Sequence, residues 1–325
     1  MAEQRPRGTG AEPLSGGGGS KPAALSRERF RRPVLYDGPV LYDGSKGVYL
    51  AARLADVGRS PGDASEWLNL LAPEAVRQVH REYIDAGSQI IQTNTFNGNR
   101  LRLEAYGLGD RVREVNLAAA QAAREAAGDD VLVAGDIGPS GKLLAMGEVD
   151  ERALVDAFAA QAAALAEGGV DLFHVETMSD LAEARAAVEG VRRVSDRPLL
   201  LTMSFDTGKP EALRTMMGVT PAQLAEAARE MAVLGMGANC GRGLEGYQEV
   251  VRALAGARPE AVLVAKLNAG IPRMEGGQVV YDGTPERMAA YALWCAENGV
   301  GIIGGCCGST PRHIEAMARA LERAG

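Results

Sequence analysis

Short runs of apolar and β-branched residues alternate with longer amphipathic, alanine-rich stretches along the chain from residue 34 onward. Short apolar runs are typical of strands buried in a parallel sheet, and the longer stretches have the period of a helix with one apolar face. We predict eight strands, at residues 40–43, 89–94, 131–136, 171–176, 198–204, 235–239, 262–267 and 301–305. We predict eight helices, at residues 73–86, 110–127, 150–168, 179–193, 220–234, 244–256, 284–298 and 311–323. This alternation indicates repeated β–α units around a parallel sheet.

Two of the predicted helices carry clear start signals. In TPAQLAEAARE and TPERMAAYA, the threonines Thr220 and Thr284 can cap a helix whose first residue is proline. Eight strand–helix units favour a closed barrel over a doubly wound sheet, which usually has fewer strands. The last helix completes the eighth unit without a leftover strand. We therefore predict an α/β fold, a TIM (β/α)8 barrel made by a single domain.

The first 33 residues differ in composition from the rest of the chain. They are rich in Gly, Pro, Ser and Arg and contain too few apolar residues to form a core. We predict a disordered N-terminal tail over residues 1–33 and one barrel domain over residues 34–325. A role of the tail in targeting or docking stays open.

Composition and charge exclude several classes of partner. The chain is 46% hydrophobic and 24% charged, as expected of a soluble globular enzyme. Its net charge of −7 argues against nucleic acid and anionic membranes as partners. The sequence has neither an apolar run of about 18 residues nor the apolar core of a signal peptide. We therefore predict a cytoplasmic protein whose cysteines are reduced thiols or metal ligands.

Three of the four cysteines fall at the ends of two predicted strands. Cys240 follows the sixth strand, and the adjacent pair Cys306 and Cys307 follows the eighth. Active sites of TIM barrels lie at the carboxyl ends of the strands, so these thiols are expected to meet across the barrel mouth. Three thiolates select zinc and leave one coordination position open, which is the pattern of a catalytic zinc site. We therefore predict that the three cysteines are both metal ligands and catalytic residues.

Two other interpretations of the cysteines stay open from the residues alone. The three could be buried packing cysteines, which are common singly. All four could instead form a structural zinc site, although Cys295 lies in the middle of a predicted helix, in YALWCAENG, and is expected in the core.

Several motifs in the same order resemble the homocysteine S-methyltransferase family, over about residues 40 to 322. They are DGSKG, QTNTFNGNR, DIGPSGKLL, VETMSDLAEA, GANCGRG, KLNAGIP and GGCCGSTPRHI. Within the family, the chain is most similar to the homocysteine-binding barrel of cobalamin-dependent methionine synthase. The resemblance implies a zinc-dependent methyltransferase that moves a methyl group to homocysteine to give methionine. Zinc held by the three cysteines would deprotonate the substrate thiol and keep it nucleophilic.

The resemblance also implies a set of substrate-binding residues. Asp43 and Glu176 match the acidic residues that hold the substrate ammonium in the family, and Gly44 lies where a backbone amide can meet the carboxylate. Asn94, at the end of the second predicted strand, completes the expected set together with Asn268. Asn268 matches an asparagine that fills the open zinc position in methionine-synthase-like barrels.

Two features near the first strand depart from the family pattern. The stretch LYDGPVLYDGS offers both Asp37 and Asp43 as the acid, and Asp43 is chosen because Gly47 keeps the family spacing. Lys46 adds a positive charge where the family has small or apolar residues, and it could favour an anionic or differently shaped substrate.

The methyl donor is inferred from the same resemblance. Asn97 stands where betaine-using relatives have a tyrosine, which argues against betaine. The favoured donor is methylcobalamin on a separate corrinoid protein, docked on loops 97–107, 140–148 and 206–218. The alternatives are an S-methylmethionine- or betaine-type homocysteine methyltransferase, or a non-catalytic zinc and homocysteine sensor.

Overall fold

The structure is a computed structural model that describes residues 38–60, 62–241, 243–257, 260–275 and 278–324. The predicted tail, residues 1–33, and the alternative acid Asp37 lie outside the described residues. Among the helices described, none is long and apolar enough to cross a lipid bilayer.

Eight parallel strands form the barrel, in the order β1, β10, β7, β6, β5, β4, β3 and β2. Their bounds are β1 Val40–Leu41, β2 Ile90–Gln92, β3 Leu132–Ile137, β4 Leu172–Met178, β5 Leu199–Met203, β6 Gly235–Cys240, β7 Val262–Leu267 and β10 Ile302–Gly305. A parallel bridge between Tyr42 and Ile90 joins the two outermost strands, β1 and β2. The predicted (β/α)8 barrel is therefore confirmed.

The eight predicted helices are all present, with shorter ones between them. The helices are α1 Gly47–Ala51, α2 Trp67–Leu71, α3 Pro73–Asp85, α4 Arg100–Leu103, α5 Val112–Ala127, α6 Glu151–Glu167, α7 Leu181–Arg192, α8 Pro221–Glu230, α9 Leu244–Gly256, α10 Pro285–Glu297 and α11 Pro311–Ala324. Thr220 caps α8 in a capping box with Gln223, and Thr284 caps α10, as predicted. Helix α8 ends at Glu230, four residues before the predicted end.

An antiparallel hairpin that the sequence did not predict lies between β7 and α10. Its strands are β8 Pro272–Glu275 and β9 Gln278–Tyr281. The base of the hairpin is tied to the barrel, since the Gly283 amide donates to the Ala269 carbonyl at 2.8 Å. The hairpin therefore borders the mouth of the barrel beside the eighth strand.

The barrel interior changes from apolar to charged toward the carboxyl ends of the strands. Alternate strand residues point inward, so each strand contributes every second residue to the interior. The apolar interior cluster contains Val40, Tyr42, Ile90, Leu132, Ala134, Leu172, Leu200, Val264 and Ile302. The next inward positions are polar and buried: Gln92, Asp136, His174, Glu176, Thr202 and Lys266. This polar layer lies directly beneath the mouth.

Candidate metal and substrate site

The three cysteines predicted as metal ligands lie together at the mouth. Their Sγ atoms are all within 4.8 Å of one another. The Cys240 Sγ lies 3.0 Å from that of Cys306 and 3.9 Å from that of Cys307. Cys295 is buried in α10 beside Tyr291, away from this cluster, as the sequence indicated. The cluster therefore offers three sulfur ligands from two distant parts of the chain.

The backbone around the cysteines is turned sharply and anchored to β7. Cys240 has φ of 62°, an uncommon conformation for a residue with a side chain. The Cys306 amide donates to the Leu267 carbonyl at 2.7 Å, and the Cys307 carbonyl accepts from Ala269 at 2.9 Å. Gly308 has φ of 76°, and a Cβ there would lie 2.1 Å from the Tyr281 ring. Adjacent cysteines can therefore both face the cluster.

Hydrogen bonding among the thiols favours the thiolate form of Cys307. Hydrogen bonds from Cys240, and then from Cys306, lower the pKa of Cys307 to about 3. The hydrogen bond with Cys306, then the one with Cys307 and burial, raise the pKa of Cys240 well above its usual value. The cluster therefore already stabilises negative charge on sulfur.

The spacing of the sulfur atoms fits a zinc ion. Zinc–sulfur bonds of about 2.3 Å in a tetrahedron require sulfur atoms about 3.8 Å apart. The Sγ atoms of Cys240 and Cys307 are 3.9 Å apart, which matches this distance. The Sγ atoms of Cys240 and Cys306 are 3.0 Å apart and would have to separate by less than about 1 Å. Among the described residues, the candidate ligand group consists of these three thiols, which would leave one position of a tetrahedral zinc ion open.

A buried network of charges lies below the thiols, and of its members the sequence singled out only Glu176. The Lys266 Nζ lies 3.2 Å from the Glu176 Oε2, and it also donates to the Gln92 side chain. The Gln92 amide donates to Asp136 at 3.0 Å and to Glu176 at 3.3 Å. Although burial lowers the pKa of Lys266, Glu176 and Asp43 raise it more, so its pKa lies above the usual value. Lys266 is therefore a buried cation.

Asp136 is another buried carboxyl group of this network, and it accepts a hydrogen bond from the Gln92 side chain. Burial raises its pKa well above the usual value, and the nearby Glu176 raises it further. Burial and Glu176 therefore both favour the protonated form of Asp136. The buried Lys266 supplies the positive charge beside Glu176 in this layer.

Asp43 is fully buried and already paired with Lys46. The Lys46 Nζ lies 2.6 Å from the Asp43 Oδ2, which also accepts from the Gln92 backbone amide at 3.0 Å. The Oδ1 of Asp43 is buried and has no hydrogen-bond partner among the described residues. The extra positive charge of Lys46 is therefore neutralised by the predicted clamp residue itself.

The remaining predicted substrate residues have different surroundings. Gly44 is packed closely, because a Cβ there would lie 2.5 Å from the Ser309 Oγ. Asn94 binds Ser65 and Asn69, so it fixes the segment that leads into α2. Asn268 donates to the Gly241 carbonyl at 3.1 Å, and its Oδ1 is buried without a partner in the described part of the chain. Asn268 therefore has a free acceptor close to the cysteines.

A cavity of about 940 Å³ opens beside Cys240 and Asn268. Its walls come from the segments after β5, β6 and β7 and include Ser204, Leu213 and Ile271. Asp43, Glu176, Cys306 and Cys307 are not among its lining residues. The cavity thus reaches the cysteine cluster from one side only.

A (β/α)8 barrel with three converging thiols at its mouth belongs to the class of barrel enzymes with a candidate metal site. The family model for homocysteine S-methyltransferase matches residues 40–321. The chain belongs to the homocysteine S-methyltransferase family.

Relatives of known name agree with this assignment. The chain is 32% identical over 295 residues to methionine synthase of Mycobacterium leprae, covering 86% of this chain and 24% of that protein. It is 31% identical over 304 residues to methionine synthase of Mycobacterium tuberculosis, and the match covers 89% of this chain and 25% of that protein. The chain therefore spans about a quarter of the length of these curated relatives.

Solved structures agree with the fold. The metallated form of the homocysteine methyltransferase MmuM from Escherichia coli has a TM-score of 0.70 at 24% identity, covering 87% of this chain and 96% of that one. A methyltransferase from Methanosarcina mazei has a TM-score of 0.59 at 13% identity, and the match covers 92% of this chain and 99% of that one. At these identities the similarity supports the barrel fold.

Proposed function

We propose that this protein is a zinc-dependent S-methyltransferase that moves a methyl group to homocysteine and gives methionine. The observation that carries the proposal is the convergence of the Cys240, Cys306 and Cys307 thiols at the barrel mouth. Zinc bound there would lower the pKa of a substrate thiol at its open position and keep the sulfur nucleophilic. The sulfur forms the new bond to the methyl carbon, and the donor retains the electron pair of the bond that breaks.

Residues around the cluster would hold the amino-acid part of the substrate. The Asp43 Oδ1, which lacks a partner among the described residues, can accept a hydrogen bond from the substrate ammonium. Glu176, one layer deeper beside Lys266, adds negative charge on the same side. The proposed partner of the substrate carboxylate is the backbone amide at Gly44. Asn268 offers its free Oδ1 near the open metal position while no substrate thiol is bound.

Asp43→Asn is expected to weaken homocysteine binding about tenfold to a hundredfold, because a charge-assisted hydrogen bond contributes about 1.5–3 kcal/mol. Calorimetric titration of the zinc-loaded protein measures the change. Asp37→Asn is the matched control from the near-duplicate LYDG stretch, and it should bind homocysteine like the wild type. A larger loss at Asp37 would show that the clamp belongs to the first LYDG stretch.

Exposed methionines at the rim of the mouth favour the proposal of a large methyl donor. These exposed methionines lie on the segments after β3, β5 and β7, namely Met146 (73% exposed), Met216 (67%) and Met274 (68%). Flexible methionines suit an adaptable docking surface. We therefore propose methylcobalamin on a separate corrinoid protein as the donor, seated across these segments. The cytoplasm is the proposed location, since all four cysteines are unpaired thiols.

Purified protein given zinc, homocysteine and a methylated corrinoid protein is expected to form methionine, which is measured by mass spectrometry. S-methylmethionine and betaine, tested as sole donors, should give no product above the rate without protein. Turnover with S-methylmethionine that equals or exceeds the corrinoid reaction would overturn the donor assignment. Homocysteine binding without product from any donor would favour a sensor.

A further inference from the structure

Asn239, the residue before Cys240 on β6, directs its side-chain amide at the thiols. It is fully buried. Its Nδ2 lies 3.5 Å from the Cys240 Sγ and 3.8 Å from the Cys306 Sγ, and it donates to the Thr177 Oγ1 at 2.7 Å. One N–H therefore serves Thr177, and the other faces two sulfur atoms. Asn239 is not among the site residues predicted from the sequence.

The opposite end of the amide is held by two donors. The Asn239 Oδ1 accepts from the Thr177 backbone amide at 2.9 Å and from the Thr202 hydroxyl at 2.7 Å. An amide whose oxygen accepts two bonds cannot flip, because a flip would place N–H groups against N–H and O–H donors. The orientation with Nδ2 toward sulfur is therefore fixed by the strands on both sides.

The backbone of Thr177 is distorted in a way that makes this contact possible. Thr177 has φ of 61°, and the β4–β5 pairing shifts register between Val175 and Met178. A left-handed conformation is unfavourable for a residue with a side chain. In return, Thr177 presents both its N–H and its hydroxyl to one amide. Strained residues of this kind cluster at functional sites.

A chain of hydrogen bonds continues away from the thiols. Because the Thr202 hydroxyl donates to Asn239, its oxygen accepts from the His174 Nε2 at 3.0 Å. The His174 Nδ1 then accepts from the Tyr42 hydroxyl at 3.2 Å. Burial lowers the pKa of His174 to about 3, so the ring is neutral and the assigned tautomer carries its proton on Nε2. Every donor in the chain therefore points toward the sulfur atoms.

We propose that Asn239 is a positioning residue of the metal site, held by Thr177 and Thr202, that donates N–H hydrogen bonds to the thiolates of Cys240 and Cys306. The inference rests on the metal role proposed above for the three cysteines. Three thiolates around one divalent ion carry a net negative charge, and N–H donors stabilise that charge and hold the sulfur atoms in place. Partners of this kind contribute about 10–100-fold to metal affinity.

Asn239→Leu removes both N–H groups, keeps the branched shape of the side chain and adds no charge. We expect its zinc affinity to fall about 10–100-fold, measured by competition with a chromophoric chelator. With Co²⁺ in place of zinc, the thiolate-to-metal charge-transfer band should move to longer wavelength, because sulfur lone pairs rise in energy without N–H donors. Thr202→Val keeps the amide and removes one of its anchors, so it should shift the band in the same direction by less.

Asn116→Leu is the matched control, since Asn116 is also buried and hydrogen bonded, to the Gly98 and Val112 carbonyls, but lies on α5. It should leave zinc affinity and the Co²⁺ band unchanged. Wild-type affinity and an unshifted band in Asn239→Leu and Thr202→Val would overturn the inference about Asn239. Absence of stoichiometric zinc binding by the wild type would instead contradict the proposed function itself.

Discussion

Replacing any one of Cys240, Cys306 and Cys307 by alanine is expected to remove nearly all bound zinc and all methionine formation. A site with three protein ligands loses a third of its sulfur donors with each change, and the remaining pair of thiolates cannot complete a tetrahedral site. We expect about one zinc per chain in the wild type and less than about a tenth of that in each variant after dialysis. Elemental analysis of the purified proteins provides the measurement.

Cys295→Ala is the control for this experiment, because Cys295 is buried in α10 away from the cluster. It should lose about 1 kcal/mol of stability through the small cavity it leaves, yet bind zinc like the wild type. The three cluster variants should keep their circular dichroism spectra, since the barrel has a large apolar core of its own. Equal zinc loss in Cys295→Ala would indicate a structural site with four thiolates.

Lys266→Met is expected to lower the free energy of unfolding by about 3–5 kcal/mol, because it leaves a buried carboxylate without its cation. The side chains of Lys266 and Glu176 are only 2% and 7% exposed, and their charged atoms lie 3.2 Å apart. Urea unfolding followed by circular dichroism measures the loss. The double variant Lys266→Met/Glu176→Gln should recover part of it, since the second change removes the unpaired charge.

Arg185→Met is the surface counterpart, since the side chains of Arg185 and Glu230 are 45% and 50% exposed. Removing this exposed ion pair should cost less than about 1 kcal/mol. A loss of the same small size in Lys266→Met would mean that the buried layer does not depend on its lysine.

The strands and the thiols could be predicted because their signals are local. Apolar runs and Thr-Pro starts mark the β–α units, and an adjacent cysteine pair at a strand end stands out in any chain. The β8–β9 hairpin was missed because both strands are short and β8 is exposed, so the segment has no strong apolar pattern. Barrel closure then followed from counting eight units.

The polar layer could not be predicted with the same rules. Gln92 and Lys266 lie at or next to the ends of short strands. A polar residue at such a position cannot be distinguished, from the sequence, from a polar residue of the following loop. The direction of these side chains, into or out of the barrel, depends on the tilt of the strands and on their pairing across the sheet. This information is not contained in the sequence of any single segment. Lys46 shows the same limit, because its partnership with Asp43 requires the turn of α1 to bury it.

Two predicted binding residues also illustrate the difference between a motif and its contacts. Asn94 is committed to Ser65 and Asn69, and Gly44 is packed against Ser309. Both are needed to shape the mouth. Asn239, which no motif argument singled out, contacts the thiols more directly than either.

The central claim is that homocysteine binds through its sulfur at a site made by Cys240, Cys306 and Cys307. Zinc K-edge X-ray absorption of the zinc-loaded protein, with and without homocysteine, tests it most directly. We predict three sulfur ligands and one lighter ligand before addition, and four sulfur ligands after saturation with homocysteine. A coordination shell that does not change at saturating homocysteine would contradict the account.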